Sequence, residues 1–203
     1  MKLKLTGILL IILLGSSSLY AQKAGLKGGV NFSNLYVDNV DDENMKVGFN
    51  AGAYYRADLS PFFAIQPEFL FTQKGSEIVY NGFLGGSGKY RFNLNYVEAP
   101  ILGVIKLGNF NIQAGPYFGL LVGANVKDVN SDGTINSVET LSRDDFNTLD
   151  TGISGGVAFD FAAGTLGARY DYGFKEIGHS QAATNATKDS KNSALQLYVG
   201  FDF

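Results

Sequence analysis

The sequence predicts an all-β protein: one eight-stranded antiparallel up-and-down β-barrel that spans a membrane. Three observations carry this expectation. Eight segments alternate apolar and polar residues with period two, the connections between them alternate short and long, and the apolar rows carry side chains too bulky to fill a barrel of that size.

The first residues are read as a processing segment and not as part of the fold. Lys2 and Lys4 supply a positive start, Ile8–Leu14 a short apolar run, and Gly15-Ser16-Ser17-Ser18-Leu19-Tyr20-Ala21 a small, polar exit. The apolar run falls short of the roughly 20 residues a spanning helix needs, so a secretory signal peptide over 1–21, cut after Ala21, is expected. That leaves 22–203 as a single barrel domain.

Composition narrows the class. The chain holds 16 Lys and Arg against 19 Asp and Glu, and the signal removes two of the lysines, so nucleic acid is not an expected partner. It has no cysteine, so an exported fold must be held by its backbone ladder and packing. Twenty-six glycines, 16 Phe and 11 Tyr favour strands over helices.

Strands are expected at 25–36, 46–59, 62–74, 90–107, 110–125, 151–161, 164–174 and 194–203. The last alternates most cleanly: Leu195, Leu197, Val199, Phe201 and Phe203 share one face, and Gln196, Tyr198, Gly200 and Asp202 the other. In the fifth, Phe110, Ile112, Ala114, Phe118, Leu120 and Val122 oppose Asn111, Gln113, Gly115, Tyr117 and Gly119. In the second, Val47, Phe49, Ala51, Ala53 and Tyr55 oppose Asn50, Tyr54, Arg56 and Asp58.

Ser60-Pro61, Gly108-Asn109 and Ala162-Ala163 read as tight turns. Val37–Met45, Gly75–Lys89, Val126–Asp150 and Lys175–Ser193 read as long polar loops. All long loops then fall at one end, the arrangement of outer-membrane barrels with short periplasmic turns and long external loops. A lipocalin-like soluble binder would place the apolar rows inside instead. Bulky outward rows, opposite rows of Gly, Ala, Ser, Asn and isolated charges, and a chain ending on Phe203 favour the membrane orientation.

Pro67, Pro100 and Pro116 interrupt expected strands, and each removes a ladder donor. In the fourth strand Phe92, Leu94 and Tyr96 share a face that Val97, Ala99, Ile101 and Ile105 take over, so a β-bulge is expected near 96–100. Tyr36, Tyr55, Tyr90, Tyr96 and Tyr170 fall where an interfacial aromatic girdle would sit, and plain β-propensity also accounts for them.

The segments Gly25-Leu26-Lys27-Gly28-Gly29-Val30-Asn31-Phe32-Ser33, Gln66-Pro67-Glu68-Phe69-Leu70 with Lys74-Gly75, Leu94–Leu102 and Ala114-Gly115-Pro116-Tyr117 resemble, in order, the PorT-like "porin family" outer-membrane barrel proteins of Bacteroidetes. The resemblance runs through the whole of 22–203. It implies an outer-membrane location, contact with outer-membrane lipid and a barrel of this size, and it treats the three prolines as family habits. Leu197, Val199, Phe201 and Phe203 also resemble the end-strand signal read by barrel-assembly machinery. Physics cuts against the word porin, because an open aqueous channel appears at about 16 strands and not at eight.

Inward rows are expected to gather Lys27, Arg56, Asp58, Glu68, Glu98, Asp160, Arg169, Asp171 and Asp202. Glu68 and Glu98 come out nearly opposite each other on neighbouring strands, and two such carboxylates need a cation between them. Arg56 is the first-choice donor and Arg169 the second. The array Arg56, Glu68, Glu98 and Arg169 is read as a salt-bridged plug, with a proton or solute path and a catalytic carboxylate pair as alternatives.

In the third long loop, Asp128, Asn130, Asp132, Thr134, Asn136 and Glu139 fit the calcium template D-x-[DN]-x-[DN]-G-x5-E, with Gly133 at the turn. Its spacing brings side-chain oxygens, the Thr134 carbonyl and a two-oxygen Glu139 to one Ca2+. A solvated loop is the competing reading.

His179 beside Ser180 makes a poor hydrolase, since a nucleophile needs its base within hydrogen-bond reach and an orienting acid beyond it. The expected function is therefore a non-enzymatic outer-membrane barrel with an envelope or surface-interaction role. The alternatives are a transport or secretion accessory and, after that, an envelope lipid hydrolase.

Overall fold

The computed structural model describes residues 22–36, 44–82, 86–130, 133–178 and 190–203. Expectations about the signal peptide at 1–21, about Asp132, and about His179 and Ser180 lie outside those residues. The described residues form nine antiparallel strands: β1 (Lys23–Tyr36), β2 (Asn44–Asp58), β3 (Phe63–Gly82), β4 (Gly86–Leu107), β5 (Phe110–Asn130), β6 (Ile135–Leu141), β7 (Leu149–Phe161), β8 (Gly164–Glu176) and β9 (Lys191–Asp202). A single 3-10 turn at Arg143–Asp145 lies between β6 and β7. No helix among the described residues is long and apolar enough to cross a membrane.

The sheet runs β4-β3-β2-β1-β9-β8-β7-β5-β6, and β4 also pairs with β5 along its length, from Gly88 opposite Asn130 to Leu107 opposite Phe110. Strand β9 lies against β1, with Leu197 opposite Val30 and Phe201 opposite Leu26. Strand β6 pairs with the far end of β5 alone among the described strands.

The period-two rows read from the sequence set the two faces. Along β5, Phe110, Ile112, Phe118 and Leu120 are exposed while Asn111, Gln113, Tyr117 and Leu121 are buried. Phe69, Ile153, Leu166, Leu197 and Phe201 are exposed on other strands, whereas Gln66, Glu68, Arg169 and Gln196 are buried. This inverts a water-soluble protein, in which large apolar groups go inside and charges stay out.

The short turns form where expected. Backbone bonds between Ser60 and Phe63 close the first, and Gly108 at φ 69° turns the second through the left-handed region that glycine adopts without strain.

Several expectations change. The loop expected at 75–89 is mostly strand, with β3 and β4 remaining paired as far as Gly82 opposite Gly86. The loop at 126–150 contains the hairpin of β5 and β6, so there is a ninth strand where eight were expected. The bulge lies beside its expected place and on the partner: Asn95 and Tyr96 face Gly123 and Leu121, leaving Val122 as the extra residue of β5. Strand β4 therefore keeps its parity, with Leu94, Tyr96, Glu98, Leu102 and Val104 all buried. Apolar Leu94 and Tyr96 imitated an outward row because they meet an apolar cluster inside. Tyr96 leaves the expected girdle, while Tyr55, Tyr90 and Tyr170 remain exposed.

Each strand proline sits where a ladder skips two pairs without losing register. Pro67 lies between Tyr54–Glu68 and Ala57–Ile65, Pro100 between Pro67–Ile101 and Leu70–Glu98, and Pro116 between Pro100–Tyr117 and Gly103–Ala114. A residue without N–H cannot close those rungs.

Candidate functional site

Buried polar side chains of β1, β2, β3, β4, β5, β7, β8 and β9 meet in a layered array. Inward parity delivers them, since residues two apart on a strand share a face. At the end carrying the short turns, Lys23 Nζ lies 3.0 Å from Asp202 Oδ2, and Lys106 Nζ 2.7 Å from Asp58 Oδ2. The Tyr54 hydroxyl donates to Asp202 Oδ1. Arg56 Nη1 binds Asp160 Oδ2 at 2.7 Å, and its Nε donates to Gln66 Oε1 at 2.7 Å. Lys23, Arg56, Asp58, Lys106 and Asp160 line a cavity of about 390 Å³.

Glu68 occupies the middle layer. Arg169 grips it with both terminal nitrogens, Nη1 to Oε2 at 2.8 Å and Nη2 to Oε1 at 2.7 Å. Lys27 Nζ adds a bond to Oε2 at 3.0 Å, and Gln66 Nε2 one to Oε1 at 2.7 Å. Lys27 also stands 3.6 Å from the Tyr198 ring centroid, where a desolvated cation is attracted to the ring face. A planar guanidinium meeting a carboxylate through two parallel bonds is the strongest of these contacts.

Above it, Asp171 accepts from Ser154 Oγ and Gln196 Nε2, both at 2.6 Å. Lys74 Nζ lies 2.5 Å from Glu98 Oε1 and 3.7 Å from Asp150 Oδ2, and 4.4 Å from the Tyr117 ring centroid. Asp150 Oδ2 also accepts from Tyr117 OH at 3.1 Å and Asn192 Nδ2 at 3.0 Å. Leu94, Tyr96, Leu121, Ala124, Phe146 and Ile177 form an apolar cluster at this level. The segments bearing Phe146 and Ile177 are tied together: Asn147 N donates to the Ile177 carbonyl at 2.8 Å, and Phe146 bridges to Gly178.

The four expected array residues are all buried, but two of their partnerships differ from expectation. Arg56 does not serve Glu68; it reaches Asp160, and Gln66 relays between Arg56 and Glu68. Arg169 is the direct donor, because β8 lies on the far side of the interior and its long side chain spans the gap, while Arg56 points to the turn end. Glu98 stands opposite Leu70 and not Glu68, so the two carboxylates belong to separate layers with separate cations. The reading missed Lys74, Asp150 and Gln113. Lys74 was recoverable from parity, since Gln66, Glu68, Leu70, Thr72 and Lys74 form one inward row; Asp150 needed β7 to begin two residues earlier.

Strands β5 and β6 run through the segment of the calcium template, whose Asp132 lies outside the described residues. Asp128 and Asn130 lie on β5, Asn136 and Glu139 on β6, with Glu139 opposite Val126. Asn136 Nδ2 donates to Asp128 Oδ2 at 3.0 Å, and Asn130 N–H donates to the Thr134 carbonyl at 2.9 Å, so expected ligands bond one another. Asn130 Nδ2 also donates to Thr134 Oγ1 at 3.0 Å. Among the described residues no group of three or more His, Cys, Asp or Glu side chains is placed to hold a metal.

The comparison with known protein families agrees with this architecture. The family model described as "Outer membrane protein beta-barrel domain" matches residues 20–178. Among solved structures, the attachment invasion locus protein Ail of Yersinia pestis is 15% identical, with 91% of this chain and 100% of that one covered at a TM-score of 0.49. Neisserial surface protein A is 12% identical, with 90% and 97% covered at 0.47. OprG of Pseudomonas aeruginosa is 12% identical, with 90% and 94% covered at 0.35. These structural likenesses are too distant to carry functional argument. No curated protein matches the chain. The family model spans most of the sequence, and the chain belongs to the outer-membrane β-barrel domain proteins.

Proposed function

We propose that this protein is a non-enzymatic integral barrel of the outer membrane, with a plugged lumen and a structural or surface-interaction role in the envelope. In this reading β1–β5 and β7–β9 are the eight wall strands, closed through the β9–β1 and β4–β5 pairings. Lipid tails cover the apolar rows, and the ionic layers fill the lumen. Strand β6 and the paired ends of β3 and β4 stand outside the membrane as the surface available to partners. A signal peptide over 1–21 is removed on export, barrel-assembly machinery reads the last strand, and the kinship is to PorT-like proteins.

The observation that carries the reading is the pairing of an exposed row of Phe, Leu, Ile and Val with a buried row bearing charge. Exposing the first row to water would forfeit about 25 cal/mol per Å² of apolar surface, whereas a bilayer accepts it. The buried row has no room for bulk water: Arg169 is 1% exposed and Glu98 0%.

The test is fractionation followed by gel mobility. The protein is expected in the outer-membrane fraction, migrating faster unheated than boiled, and without steady conductance in planar bilayers. Recovery in the soluble fraction with unchanged mobility would overturn the barrel. A steady conductance would keep the barrel and overturn the plug.

A further inference from the structure

The upper layer of the array holds one positive charge too few. In the middle layer, Glu68 lies against Lys27 and Arg169, and both cations also feel Asp171 from the layer above, so these two carboxylates are matched by two cations. Above it, Glu98 and Asp150 share Lys74 alone. Among the described residues no neighbouring element supplies the missing charge. Strand β4 adds Tyr96 and β5 adds Tyr117, both phenols, while β9 adds the neutral Asn192 and β8 the acidic Asp171. Lys46 on β2 is turned away, giving its Nζ to the Lys74 carbonyl at 3.3 Å beside the charges of Arg91 and Lys127.

Two further observations bring the carboxylates together and leave them short of donors. Gly119 pairs with Glu98 on one side and with Asp150 on the other. A Cβ at Gly119 would lie 3.3 Å from Glu98 Cγ and 3.5 Å from Asp150 Cβ, so the two acidic side chains flank the space that the glycine leaves open. Glu98 Oε2 and Asp150 Oδ1 are buried without a hydrogen-bond donor, and Glu98 Oε1 meets only the Lys74 ammonium. Adjacent carboxylates in a site of low dielectric cannot both ionise beside one ammonium, and one proton held between them relieves the repulsion. The apolar cluster of Tyr96, Leu121, Phe146 and Ile177 screens the pair from the outer face, which disfavours a hydrated metal ion as occupant.

We propose that Glu98 and Asp150 form a buried proton-binding site, holding one proton between them next to Lys74. The site rests on the plugged-barrel reading above. One carboxyl is then neutral, its O–H supplies a donor to an otherwise bare oxygen, and the layer becomes electrically balanced.

Infrared spectroscopy of the folded protein in deuterated buffer at about pH 6.5, where exposed carboxyls are ionised, tests this. The expected result is one protonated-carboxyl C=O band in the wild type, lost in both Glu98→Gln and Asp150→Asn and kept in Asp202→Asn. Each of the first two variants leaves one carboxylate for Lys74. Absence of the band in the wild type, its persistence in both variants, or its loss when sodium replaces potassium as the buffer cation would overturn the proposal. Heat-modifiable mobility of each sample reports barrel formation separately, so a failed barrel and a missing proton are distinguishable.

Discussion

The two ends of β5 follow different rules. From Phe110 to Leu120 its rows separate sharply, with large apolar residues exposed on one face and polar or aromatic side chains buried on the other, between β4 and β7. From Asn125 to Asp128, between β4 and β6, all four residues are half-buried and the rows no longer differ in kind. The backbone pattern is the same in both halves; the surroundings are not. Where one face meets hydrocarbon and the other a charged interior, composition is forced row by row. Where water touches both faces, Val126 and Lys127 serve equally well. The extra residue Val122 marks the boundary and lets Leu121 and Ala124 both turn inward.

The deepest break of this comparison comes from Arg169. Removing its side chain leaves Glu68 buried with Lys27 as its single cation, and loss of one partner of a buried pair typically costs about 3–5 kcal/mol. Arg169→Ala is expected to unfold at markedly lower urea concentration in lipid vesicles. The double variant Arg169→Met with Glu68→Met should recover most of that loss, because it removes both charges and keeps the volume. An Arg169→Ala protein with unchanged urea midpoint would show that the array does not hold the wall together.

A second prediction sets the two surroundings side by side. Leu197 is 47% exposed on the wall and Val138 57% exposed on β6. Exposure alone ranks them alike, but the wall position faces lipid. Leu197→Arg is expected to cost about 2–4 kcal/mol if it lies near the bilayer midplane. Val138→Arg should stay within about 0.5 kcal/mol. Equal costs in a vesicle-folding titration would erase the distinction between the two regions.

The same distinction explains what was legible in the sequence. Wall strands were readable because hydrocarbon on one side and a charged interior on the other impose a strict period of two; β9 and the lower half of β5 needed nothing more. The outer extensions were not, because polar residues that tolerate water on both faces look like loop whether or not they pair. That is why 75–89 read as a loop and why β6 was hidden inside a calcium template. Within the array, parity identified which residues point inward but not who meets whom. Partner choice depends on reach across the interior: Arg169 crosses from β8 to Glu68 on β3, a relation that no spacing along one strand encodes. The parity slip near Tyr96 misled for a related reason, since the inward row there is locally apolar, as in a soluble protein.

The outer extension also has its own electrostatics, and these are expected to be weak. Burial acts to raise the carboxyl of Glu77, but Lys89 Nζ at 2.7 Å and Arg91 Nε at 2.6 Å outweigh it and hold the group below its ordinary value. A carboxyl depressed in the folded state contributes stability that is complete above its unfolded value of about 4.3 and is lost as pH falls through the folded value. Acid should therefore loosen the β3–β4 extension and leave the Arg169–Glu68 layer intact. Because Lys89 and Arg91 remain more than a third exposed, the effect should not exceed about 1 kcal/mol. Amide exchange along 74–77 and 91–94 measures it: protection should fall below about pH 4 in the wild type, and Glu77→Gln should remove that pH dependence. If Glu77→Gln keeps the full acid response, the contact across the extension is not its source, and the outer strands are held by their backbone ladder alone.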